Sequence, residues 1–161
     1  MTISGPIQRS AVAILLLLTF ASGRAENGFD AAVRRLSAES IFAFGGVGFV
    51  GQTSKGELDF RVIAAQEKEV ALAAFEKLVV SGNPQAVAYG LSGIRKLSPS
   101  RFQELLPSFE SSSIEVETMR GCIISKSHLD KVAEQIRRGD FDPWIEKDFK
   151  TTSVRLFTPS Y

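Results

Sequence analysis

Residues 44–51 read FGGVGFVG, and within them Gly46, Gly48 and Gly51 fall on the spacing G-x-G-x-x-G. That spacing marks a loop whose backbone N–H groups approach a dinucleotide pyrophosphate. It works only if a strand precedes the glycines, a helix opens within them, and a second parallel strand ends in Asp or Glu about twenty residues on. Only the first condition has a candidate, the apolar run SIFAF at 40–44; QTSKG follows Gly51, and residues 58–79 carry helical periodicity where the second strand should lie. The same glycines approach the phosphate-binding pattern G-x-x-x-x-G-K-[ST], but Gln52 stands where the lysine must be. No nucleotide and no cofactor is therefore predicted. The glycines are read as an elbow between SIFAF and the next helix, with at least one positive φ and with Val47, Phe49 and Val50 packed inward.

The other chemistry-bearing residues are few. His128 is the sole histidine and sits in SKSHLD beside Ser125, Ser127 and Asp130. A Ser-His-Asp triad needs three side chains converging from separate elements, whereas these share one stretch of chain. GLSG at 90–93 lacks the G-x-S-x-G spacing of a nucleophile elbow, because Ile94 falls where the last glycine is required. Gly90 and Gly93, with Ala86, are read as a small surface against which another helix presses. Cys122, the only cysteine, cannot close an internal disulfide and is read as a buried small hydrophobe in GCII; the alternatives are a reactive thiol or a bridge to another chain. Asp140 and Asp142 in GDFDPW supply too few oxygens for calcium, and Asp142 before Pro143 reads as the cap of a terminal turn. One His and one Cys cannot build a zinc tetrahedron without two or more carboxylates. No catalytic, cofactor-binding or metal-binding residue is assigned.

The elements that would carry these residues follow a start with the form of a secretory signal peptide: Arg9, an apolar run over 11–21, and the small-residue exit ASGRA with cleavage after Ala25. The run is too short to span a bilayer, so no membrane span is expected after cleavage, and the mature chain is expected to be exported, periplasmic or secreted, and soluble. Loss of residues 1–25 removes Arg9 and Arg24 and turns the formal charge of +1 into −1. With cations interleaved among acids, no nucleic-acid partner is predicted.

Residues 26–149 read as one domain. DAAVRRLSAE forms a first helix with Phe29, Val33 and Leu36 on one face. Ser54 and Glu57 make a capping box for a second, with Leu58, Phe60, Val62 and Ile63 as its apolar face. EKEVALAAFEKLVVSGN places Val70, Ala74, Phe75, Leu78 and Val79 on one stripe, and Asn83-Pro84 opens an antiparallel partner carrying Val87, Leu91, Ile94 and Leu97 inward. Ser98-Pro99 starts a short helix that Pro107 ends. IEVETM then alternates with period two, putting Ile114, Val116 and Thr118 on one side of a strand; Arg120-Gly121 turns it into CIIS. A last helix is boxed by Ser127 and Asp130 and closes at Gly139, Trp144 is a packing anchor, and the tail 150–161 is a candidate edge strand. The predicted fold is mainly α: a compact bundle of about five helices in antiparallel pairs, with a small β-hairpin near 114–125.

The run SGNPQAVAYGLSGIRKLSP, residues 81–99, resembles the inner part of HEAT-type helical repeats. The resemblance implies stacked helix pairs with a protein-binding face, although one unit is visible where a solenoid needs at least about three. Functionally, the sequence favours an exported non-catalytic interaction or scaffolding protein with an unknown protein partner. The alternative is a small secreted or periplasmic hydrolase using His128 with a serine, Cys122 or a carboxylate.

Overall fold

A computed structural model describes residues 28–146; the signal-like segment and the 150–161 tail lie outside the described residues. The order is α1 (Gly28–Ser37), β1 (Gly46–Val47), β2 (Gln52–Thr53), α2 (Lys55–Ala64), α3 (Lys68–Ser81), α4 (Pro84–Leu97), α5 (Pro99–Leu105), a 3-10 turn (Leu106–Ser108), β3 (Glu115–Arg120), β4 (Ile123–His128) and α6 (Leu129–Arg138). A helical turn over 142–146 follows. The fold is helix-dominated, as the periodicity predicts, with two small antiparallel hairpins rather than one.

The centre is α4, which touches α1, α2, α3, α5, α6 and β3. Asn83 caps it by accepting from the Ala86 N–H at 2.8 Å, with Pro84 at its first turn. Every residue from Gln85 to Ile94 is buried. Such a helix needs close neighbours on all sides, and two glycines allow one of them. A methyl on Gly90 would meet the Phe75 carbonyl at 2.7 Å and Val79, and one on Gly93 would run into the Phe75 ring. The small surface read from the sequence thus receives α3.

Some faces shift from expectation. Ser54 does cap α2, accepting from the Glu57 N–H at 3.0 Å. Yet Phe60, Ile63 and Ala64 form the apolar part of its buried face, while Leu58 and Val62 look outward. On α3, Ala71 takes the inner position expected of Val70, which is exposed. The rest of the stripe holds, with Ala74, Phe75 and Leu78 buried and Val79 partly so; only its first position shifts, where α3 meets the α1–α2 pair as well as α4. No Ser127 box forms: Ser127 belongs to β4, and α6 begins after His128 with no side-chain cap. Its inner face of Leu129, Val132, Ala133 and Ile136 and its left-handed Gly139 stop stand as read.

Candidate functional site

The glycine segment is a hairpin. Positive φ at Gly45 (85°), Gly48 (70°) and Gly51 (64°) bends the chain so that Val47 faces Gln52 and Gly46 faces Thr53. The elbow reading is right about the positive φ and wrong about packing: Phe49 is 98% and Val50 72% exposed at the tip. With residues 48–51 spent on the turn, the tip has no layer beneath it to bury an aromatic ring.

The second hairpin meets the first end to end. Gly121, at φ 58°, turns β3 into β4 in the register Arg120 to Ile123 and Glu115 to His128. Its carbonyl accepts from the Gly48 N–H at 2.9 Å, so the two glycine turns are stitched together. Ile123 (72%) and Ile124 (56%) are exposed beside Cys122, which is also exposed rather than buried in the core. Scattered exposed aliphatics are ordinary; here four large ones gather at the joined ends of two hairpins, with Ile123 and Ile124 on opposite faces of β4, a concentration of the kind that marks interaction surfaces.

The base of this patch is held rigidly. The Tyr89 hydroxyl, buried on α4, accepts from the Ala43 N–H at 3.0 Å and lies 2.9 Å from the Ala43 carbonyl, which also accepts from Ser54 Oγ at 3.0 Å. Glu57, 1% exposed, accepts from the Gly45 N–H at 2.7 Å through one carboxylate oxygen and from Arg61 at 2.6 Å through the other. Burial pushes the Tyr89 phenol well above its ordinary range, against the bond from Ala43. A side chain on Gly56 would strike that phenol. These buried polar groups therefore serve as a clamp on residues 43–45, with the Tyr89 hydroxyl and both Glu57 carboxylate oxygens bonded inside the protein.

Between the hairpin and the helices lies a recess of about 250 Å³. Phe42 joins β3 on the edge opposite β4, its N–H donating to the Glu117 carbonyl at 2.8 Å and its carbonyl accepting from the Met119 N–H at 3.1 Å. Register then puts Thr118, Arg120, Ser125 and Ser127 on the face that bears buried Val116. Gln135 of α6 and Trp144, which packs over Gly45, complete the polar lining, and Phe42, Phe44 and Phe141 supply the apolar part. Phe42 and Phe141 meet edge to face at 5.0 Å.

The residues singled out for chemistry do not converge. Cys122 and His128 flank opposite ends of β4, about 20 Å apart along an extended strand. The His128 side chain is exposed and has no hydrogen-bonded partner among the described residues; the side chain of its cross-strand neighbour Glu115 takes Lys126 at 3.1 Å instead. Asp130 accepts from the Lys131 N–H. Asp142 is engaged by the Arg95 guanidinium, which fastens the last turn to α4, and Asp140 by Arg138. Ser92 of the GLSG run bonds the Ala88 carbonyl at 2.8 Å inside its own helix. Among the described residues no group of three or more His, Cys, Asp or Glu could hold a metal ion. Arg120 was missed as a recess residue; extending the IEVETM alternation by one step from Thr118 places it on the inner face.

A larger, open groove of about 840 Å³ runs between α1 and α3, floored by Val33, Ala74 and Leu78 with Asp30, Glu69 and Lys77 at its rims. Arg34, Ser37 and Ser81 also line it, so cations and acids are mixed along the groove, whereas the recess holds Arg120 without a carboxylate among the described residues. Compared with known proteins, the chain matches no family model, no curated protein and no solved structure.

Proposed function

We propose that the chain is an exported, non-catalytic interaction protein that meets a protein partner through the joined tips of its two hairpins. The observation that carries this reading is the exposed set Phe49, Val50, Ile123 and Ile124 on two glycine turns bonded to one another. Large apolar groups held outward on a clamped base favour binding, because the cost of ordering them is met before a partner arrives. The export half rests on the signal-like start. Among the described residues no helix is long and apolar enough to cross a membrane.

The test is co-precipitation from the native envelope fraction with the wild-type protein and a Phe49→Ser/Ile123→Ser variant. A partner retained by the wild type and lost from an equally stable variant is expected. Equal recovery by both would overturn the assignment of the face.

A further inference from the structure

We propose that the recess between β3–β4, Phe42 and α6 is a binding site for a small organic carboxylate, anchored by Arg120. Of the arginines in the described residues, Arg35, Arg61, Arg95, Arg101, Arg137 and Arg138 each hold an acidic partner. Arg34 also has an interaction. Arg120 has none, and it lines the recess. No carboxylate lines that recess among the described residues, so its electrostatics favour an anion.

The remaining polar groups fit the same ligand. Thr118 and Ser125 bond each other, Oγ1 to Oγ, at 3.0 Å, whereas the side chains of Ser127, Gln135 and Trp144 have no hydrogen-bonded partner among the described residues. A hydroxyl, a carboxamide and an indole N–H can all donate. One guanidinium matches one negative charge, and its planar fork binds a carboxylate through two parallel hydrogen bonds. A phosphate dianion would call for further cations, which the lining lacks. The aromatic rings of Phe42, Phe44 and Phe141 give the ligand's body an apolar seat. The volume of about 250 Å³ falls below the usual range for drug-sized ligands, which sets the scale at roughly ten non-hydrogen atoms. The site borders the exposed tips, since Arg120 pairs with Ile123, but it does not depend on the reading of their partner.

Trp144 is the chain's single tryptophan, so its fluorescence reports on this recess alone. The mature protein is titrated with phenylacetate, with neutral 2-phenylethanol, and with inorganic phosphate as competitor. A saturable change with phenylacetate is expected, weakened about tenfold or more in Arg120→Gln and less in Arg120→Lys, with 2-phenylethanol giving none. Gln135→Ala should weaken binding by a smaller factor, and it provides a second variant on a different element. The proposal is overturned if the wild type shows no saturable change, if Arg120→Gln binds as tightly as wild type, or if 2-phenylethanol matches phenylacetate. Displacement by phosphate at equal concentration would overturn the assignment to a carboxylate.

Discussion

From Gln85 to Ile94 every residue of α4 is buried, whereas five of the six residues of β4 are exposed. Both use glycine, for opposite ends. Gly90 and Gly93 remove side chains so that α3 can press against α4. Gly48, Gly51 and Gly121 supply positive φ so that two turns can project, and a methyl on any of them would meet nothing within 4 Å. In the first region glycine makes room for packing; in the second it holds the backbone where packing is absent. Stability should therefore reside in the helical body and recognition in the hairpins, and substitutions in the two regions should separate these properties.

The largest loss is expected from Phe75→Ala. This fully buried ring packs against Phe60 at 5.0 Å and against Gly93, and its truncation should cost about 3–5 kcal/mol in urea unfolding. Tyr89→Phe attacks the clamp between the regions. It leaves the buried Ala43 N–H without its acceptor and should cost about 1–3 kcal/mol, with hydrogen exchange accelerated first at residues 43–45. The same variant should alter the alkaline limb of stability. A phenol whose folded pKa is raised favours the folded state fully below about pH 10 and loses that contribution as pH climbs further, so the wild type should lose stability there and Tyr89→Phe should lose less.

At the hairpins the expected effects are smaller. Gly48→Ala imposes a left-handed conformation on an alanine with open space around it, which should cost about 1 kcal/mol from backbone strain alone. Phe49→Ser should change the melting temperature hardly at all, within about 0.5 kcal/mol, because the ring is already in solvent. A large destabilisation by Phe49→Ser would erase the distinction between the regions.

The helical body was legible because its signals are local. Asn83-Pro84, the Ser54 cap and Gly139 each state a boundary, and the inner face of α6 follows from a period of 3.6. The hairpin region was less legible because its fate depends on partners distant in sequence. Hydrophobicity alone points Phe49 and Cys122 inward, but in the fold both lie exposed on turns that the Gly48–Gly121 bond joins to each other. Glu57 shows the same limit. The sequence marks it as half of a capping box, while in the fold its carboxylate holds the Gly45 N–H of the preceding segment and Arg61 one turn further along the same helix. The recess was hidden for a related reason, since Arg120, Gln135 and Trp144 come from three separate segments.

The division of labour is tested most directly by photo-crosslinking in the native envelope fraction from two positions. One probe is attached to Cys122 at the tips, the other to Ser81→Cys in a Cys122→Ser background, on the rim of the α1–α3 groove. A discrete adduct from the Cys122 probe, absent from the Ser81→Cys probe and abolished by Phe49→Ser/Ile123→Ser at unchanged melting temperature, is the expected result. An adduct formed from the groove position and not from Cys122 would contradict it.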